Sequence, residues 1–315
     1  MIEIVRYSDE YRGLWNDFVA KSKNGTFILL RSYMEYHSDR FEDYSLIALS
    51  DRKIVALLPA NIDGDTLISH GGLTYGGWIT PSKGFSAADM LEIWNKMNEY
   101  LIRVGVKLLI YKAIPHIYHK YPAEEDLYAL FRNRAQIHSA LLSSAIDLRN
   151  SLPFDQNARR GLKFAVAAGV EVRESLDFKA FWNILSALLL EKYGTKPVHC
   201  LEEIMYLHSQ FPQNIKLIAA YKSDEMLGGT LIYVTDTVEH VQYIATTVLG
   251  RELKILPAVF DYAIRNVHGG CRYFDFGTSN EDGGKSLNEG LIRQKYGFGA
   301  RGIAYVTYKC DIHNP

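Results

Sequence analysis

Leu217-Ile218-Ala219-Ala220-Tyr221-Lys222-Ser223-Asp224-Glu225-Met226-Leu227-Gly228-Gly229-Thr230-Leu231 reads as two apolar strands joined by a short charged turn. The same arrangement stands earlier in the chain. Leu46-Ile47-Ala48 leads into the turn Asp51-Arg52-Lys53, and Val55-Ala56-Leu57-Leu58 follows. Two more pairs flank it: Leu14-Trp15-Asn16 with Phe181-Trp182-Asn183, and Glu99-Tyr100-Leu101-Ile102-Arg103 with Asp261-Tyr262-Ala263-Ile264-Arg265. The three echoes come in one order, about 160–170 positions apart. That spacing is one domain length, so the pattern predicts a duplicated domain, 1–150 and 151–315. The boundary falls in Asn150–Gln156, which contains Pro153 and Asp155.

With 315 residues, 48% of them hydrophobic, the chain can bury one large core or two ordinary ones. A net charge of −1 gives no global attraction to DNA or to an anionic membrane. The apolar runs, such as Ser186–Leu190, are too short for membrane insertion. Cys200, Cys271 and Cys310 are far apart and odd in number, which predicts neither a disulfide framework nor a metal site. Met1–Arg6 reads as a strand and not as a signal peptide, so a cytoplasmic protein, monomeric or dimeric, is expected.

Each half has the same order of elements. In the first, a helical pattern over 10–22 precedes strands at 45–50, 54–60 and 66–70. A helix over 86–104 follows, with Ser86 and Asp89 as a capping box, then strand 106–111, helix 124–134 and strand 140–148. In the second, helices at 178–193 and 202–210 precede strands at 216–221, 229–234 and 239–246. Helix 253–267, strand 273–276, a helix starting at the capping box Ser286-Leu287-Asn288-Glu289, and strand 303–309 follow.

This order, together with three stretches of the second half, resembles tandem-domain Fem-type (FemAB-like) transferases of the GNAT acyltransferase superfamily. The stretches are Asn157-Ala158-Arg159-Arg160-Gly161-Leu162-Lys163, Tyr273-Phe274-Asp275-Phe276-Gly277-Thr278-Ser279, and Gly290-Leu291-Ile292-Arg293-Gln294-Lys295-Tyr296-Gly297-Phe298-Gly299. Gln294 stands where the family usually has an aromatic. The resemblance implies an α/β (α+β) fold of two GNAT-like domains, each a mixed, mostly antiparallel sheet flanked by helices. It implies an acyltransferase of cell-envelope biogenesis that moves an acyl or aminoacyl group to an amine of a small-molecule or nucleotide-linked acceptor. No cofactor would be bound permanently; acyl-CoA or aminoacyl-tRNA would serve as donor. Acetyl-CoA enzymes of the superfamily hold the donor's pyrophosphate on a glycine-rich turn. Here that turn reads Thr247-Val248-Leu249-Gly250-Arg251-Glu252-Leu253-Lys254, with one glycine. The Fem type also lacks the turn.

Amide formation requires a deprotonated amine, a stabilised acyl oxygen and aligned reactants. Asp275, an acid between two phenylalanines, and Lys295, late in its helix, are the catalytic candidates; a structural ion pair of Asp275 with Arg272 or Arg293 is the alternative. Arg159, Arg160 and Lys163 near a helix N-terminus are candidates for binding phosphate, against an ordinary solvated basic face. His37 and Arg40 stand where the family puts a basic residue, against a solvated helix surface. Tyr243, Glu281 and Lys285 complete the substrate-binding set, the last two in a loop read as a mobile lid. That loop ends in Gly-Lys-Ser, but Ser279, Glu281 and Asp282 do not suit a phosphate loop. His116 and His119 are three apart without a third ligand, so no metal is expected. Two other functions stay open: an acetyl-CoA-dependent N-acetyltransferase of a small metabolite or sugar amine, and a non-catalytic binding module on a degenerate transferase fold.

Overall fold

The computed structural model describes residues 1–266 and 268–312. The chain divides into two compact units, Met1–Leu141 with Ala304 onward, and Leu142–Ile303. The division lies nine residues before the expected 150/151 boundary (150 − 141), and the end of the chain returns to the first unit. Pro153 and Asp155 mark the start of a helix instead: Asp155 is its N-cap and accepts from Ala158 N at 2.7 Å.

The first unit begins with β1 (Ile2–Arg6), α1 (Arg12–Lys21) and α2 (Arg31–Met34). Two hairpins follow: β2 (Leu46–Ser50) and β3 (Lys53–Leu58) join β1 in a three-stranded sheet, while β4 (Asn61–Asp63) and β5 (Thr66–Ile68) pair in another sheet. The expected run of three strands is thus divided between two sheets. Then come α3 (Ala87–Arg103), β6 (Leu108–Lys112), α4 (Glu125–Arg132) and β7 (Gln136–Asp147), whose last part belongs to the second unit. In α3, Ser86 and Asp89 form the expected reciprocal cap. Its apolar stripe of Met90, Ile93, Trp94, Met97 and Leu101 is buried against β1, β2 and β6.

The second unit adds α5 (Gln156–Ala167), β8 (Glu171–Ser175), α6 (Phe178–Tyr193) and α7 (Leu201–Gln210). The meander β9 (Ile215–Lys222), β10 (Glu225–Val234) and β11 (Val238–Thr246) follows. Next come α8 (Val248–Glu252), α9 (Ile255–Arg265), β12 (Tyr273–Thr278), the short pair β13 (Asn280–Glu281) and β14 (Ser286–Leu287), α10 (Glu289–Gly297) and β15 (Arg301–Asp311). Its strands run in the order β7-β12-β11-β10-β9-β8. One face packs on α9 through Ile218, Ala220, Ile232, Phe274 and Phe276. On the other face, Trp182 of α6 meets Tyr243 edge-on at 5.3 Å.

The duplication extends to particular contacts. Trp15 and Trp182 are both buried, and each indole donates to a carbonyl further along its own unit: Leu29 at 2.9 Å and His199 at 3.3 Å. The two echoed hairpins turn on Asp51-Arg52 and Ser223-Asp224, all four with positive φ, as two-residue turns of this hand require.

Two local expectations are corrected. The helix expected over 253–267, whose last position lies outside the described residues, is α9. It starts at Ile255 after Lys254 in the left-handed region, Pro257 falls in its first turn, and the unexpected short helix α8 precedes it. The helix expected from Ser286 starts at Glu289. Asn288 is its N-cap and accepts from Leu291 N at 2.9 Å, while Ser286 pairs with Glu281.

Candidate active site

β11 and β12 run parallel but pair over only three positions: Val238 with Tyr273, Glu239 with Phe274, and His240 with Asp275. Beyond them the strands part, while β12 stays paired with β7 across a register shift that sets Thr278 opposite Ser143. The gap is a cleft of about 1150 Å³. Its walls are Ile244, Ala245 and Thr246 of β11, Phe276 of β12, Gly250 and Arg251 of α8, Phe260 of α9, Asn157 and Gly161 of α5, and Leu291, Arg293 and Lys295 of α10. Arg251, Lys254, Lys192 and Arg293 supply positive charge, against Asp155 and Glu191.

The first unit closes the corresponding gap with its own chain. β5 and β6 pair in parallel from Thr66–Leu108 to Ile68–Ile110. The segment after β5 then folds back: Ser69 Oγ accepts from Lys112 N at 2.7 Å, and Gly76 N donates to Lys112 O at 2.9 Å. A Cβ on Gly76 would lie 2.0 Å from the Ser69 carbonyl oxygen, so only glycine lets these backbones meet. Trp78 N caps the Tyr111 hydroxyl at 2.7 Å.

Lys295 lines the open cleft and is 4% exposed. Its ammonium donates to the carbonyls of Gly277 and Thr278, both at 2.8 Å. Burial lowers it to about 8, with the charge of Asp275 acting in the opposite direction. Two of its three N–H donors are thus used within the fold.

Asp275 is fully buried and does not line the cleft. Its carboxylate accepts from the Ser143 hydroxyl and from Gly277 N at 3.2 Å, and lies 2.9 Å from His240 Nδ1. Arg272, one of its expected ion-pair partners, bonds Asp147 instead, and the other, Arg293, is exposed at the cleft.

Arg159, Arg160 and Lys163 are exposed on α5 and do not line the cleft, whereas Asn157, Ala158 and Gly161 of the same helix do. Tyr243 is half-buried and does not line the cleft. Its hydroxyl meets His199 Nδ1 at 2.6 Å, and burial pushes the phenol up to about 12. Glu281 accepts from Asn288 at 2.9 Å, which ties down the expected lid; Lys285 is exposed at its tip. In the first unit, His37 is 1% exposed and packs beside His70 with ring centres 5.2 Å apart, contrary to a solvated helix surface. Arg40 lies 5.4 Å over the Tyr36 ring. Three residues escaped the sequence reading: Arg251 and Lys254, seen only as a missing glycine-rich turn, and His240, whose link to Asp275 depends on strand register.

The turn into α8 uses its own donors. Thr247 Oγ1 accepts from Gly250 N at 3.0 Å, and Arg251 N donates to Thr247 O. A pyrophosphate cradle needs those N–H groups free. Among the described residues no group of three metal-ligating side chains occurs, and no helix is long and apolar enough to cross a membrane.

No family model and no curated protein matches the sequence. Solved structures do match in fold. FemX superposes with a TM-score of 0.66 at 12% identity, covering 99% of this chain and 98% of that one. L-PGS from Bacillus licheniformis gives 0.61 at 12% identity over 98% and 92%. A tandem GNAT protein from the clavulanic acid biosynthesis pathway gives 0.53 at 13% over 99% of each. The echoed hairpins, the parallel strand pair in each unit and these likenesses agree: the chain has the tandem GNAT fold that FemX also has.

Proposed function

We propose that this chain is an N-acyltransferase of the FemAB-like type with one donor site, the open cleft of the second unit. It transfers an acyl or aminoacyl group to an amine on a cell-envelope precursor or sugar, in the cytoplasm. One observation carries the reading: the parallel strands part around an empty cleft in the second unit, while the first unit fills the same gap with its own backbone.

The unpaired edge of β11 from Val241 to Thr246 offers N–H and C=O groups to an extended donor arm, as a strand edge does. The third N–H of Lys295 is available to the acyl oxygen, where charge develops as the amine adds; such donors typically contribute ~10²–10³-fold. Asp275, being buried, acts through its neighbours and not on the substrate. With Gly250 N and Arg251 N bonded to Thr247, fewer donors face a pyrophosphate there, which favours an aminoacyl-tRNA end over acetyl-CoA. Arg251, Lys254, Lys192 and Arg293 give such an anionic donor local charge that the neutral chain as a whole lacks.

The test is titration calorimetry of the full chain with alanyl-tRNA, acetyl-CoA and a uridine-diphosphate-linked muramyl peptide, with mass spectrometry for the amide product. Binding of a donor and formation of an amide are expected. Folded protein that binds none of them and forms no amide refutes the reading.

A further inference from the structure

His240 and Asp275 are the last paired residues before β11 and β12 part, so they stand at the vertex of the cleft. Phe274 and Phe276 turn their rings toward Phe260 of α9, with centres 6.2 and 4.9 Å away. Asp275 between them, and His240 beside it, therefore face the opposite side of the sheet. Ser143 and Gly277 both donate to Oδ1 of Asp275, which leaves Oδ2 to His240, and an ionised carboxylate only accepts. With Asp275 ionised, His240 Nδ1 carries the proton in the 2.9 Å contact, which leaves the lone pair on Nε2. Nε2 makes no hydrogen bond among the described residues, and the side chain is 12% exposed. The ring sits over Gly277, whose φ is +74° and where a Cβ would come within 3.4 Å of His240 Cε1. The carbonyl of that same Gly277 holds Lys295. A basic nitrogen and a buried ammonium thus flank one peptide at the point where the strands part.

We propose, resting on the acyl-transfer reading, that His240 is the catalytic base for a primary amine that reaches the vertex from the face opposite the donor cleft. The amine lone pair adds to the acyl carbon, and the C–N bond forms. The proton lost by nitrogen goes to His240 Nε2. The bond from the acyl carbon to the donor's oxygen or sulfur breaks, its electron pair leaves on that atom, and the imidazolium returns the proton to it. Asp275 and Ser143 are positioning residues that hold the ring in one tautomer. Among the described residues, Asp275 of β12 is the charged group in contact with the His240 ring, and its charge also acts on Lys295 of α10.

Nitrogen-15 NMR of the full chain tests the tautomer without any substrate. In the neutral ring the proton is expected on Nδ1; a neutral ring protonated at Nε2 overturns the proposal. With the donor and acceptor that yield amide in the assay above, His240→Ala should lower kcat ~10²–10⁴-fold, leave KM nearly unchanged, and regain turnover with added imidazole. His240→Gln serves if the alanine variant does not fold. Turnover near that of the wild type, or a loss that imidazole does not repair, removes this role while the acyl-transfer reading stands. A wild-type protein that makes no amide removes both.

Discussion

Replacing Lys295 with methionine deletes a buried charge and keeps an unbranched side chain. The ammonium is lowered from 10.5 to about 8 in the folded protein, chiefly by burial. Between those values the unfolded chain still holds the proton that the native protein has released. Stability therefore rises with pH through this window, and the burial penalty is felt in full only below about 8. From about pH 7.5 to about pH 9.5 the expected gain is roughly 2 kcal/mol, from ~1.4 kcal/mol per unit of difference, reduced where the native group is only partly titrated. The gain should be missing in Lys295→Met. Lys112, also lowered to about 8 by burial, contributes equally to both proteins and cancels in the difference. At neutral pH the variant gains from losing the charge but leaves the Gly277 and Thr278 carbonyls without their donor, a loss of ~1–3 kcal/mol each. The slope with pH is therefore the informative quantity. Urea denaturation of wild type and variant at the two pH values measures it. Parallel curves would show that the Lys295 ammonium is not desolvated as described.

Other outcomes follow from particular contacts. His70 is held near 3 by burial first, then by His37, Lys112 and Arg31. Its contribution is present above about 6.5 and is lost as pH falls toward 3, by ~3 kcal/mol at about pH 4. Asparagine tolerates the left-handed backbone at this position, so His70→Asn should flatten the acid side of the stability curve; an unchanged acid loss contradicts the assignment. Gly76→Ala drives a methyl into the Ser69 carbonyl and should destabilise by ~1–3 kcal/mol or more, read by thermal melting; a neutral result would mean the gap in the first unit is not closed as described. Trp15→Phe and Trp182→Phe each lose one buried indole hydrogen bond, ~0.5–1.5 kcal/mol apart from packing, and urea midpoints should fall in both.

Much of the scaffold was legible. The tryptophans, the apolar runs and the cap at Ser86 are signals of short range, and each half carries them. Helix ends were less so: Asn288 and not Ser286 caps α10, because Ser286 is drawn into a strand pair with Glu281. The site was legible in part. Lys295 was marked by the resemblance of its stretch to the Fem-type pattern, and it lines the cleft. Arg159, Arg160 and Lys163 carry the right chemistry on the right helix, but helical geometry turns Gly161 inward and the three cations outward. Asp275 was read as an acid in need of a partner, and the nearby arginines were the natural guess. The partner is His240, 35 residues away, because strand register joins them.

The sequence by itself determined that the chain is a duplication, which elements each copy contains, and that charged and glycine-bracketed residues concentrate in the second copy. Periodicity, capping and turn chemistry act over a few residues, so they are written in the chain. Which copy keeps an open cleft was decided only by tertiary structure. In one unit the segment after β5 bonds back onto β6; in the other the segment after β11 turns away as α8 and leaves the strand edge bare. That difference, like the tautomer of His240, depends on backbone and side-chain groups that meet only when distant strands come into register.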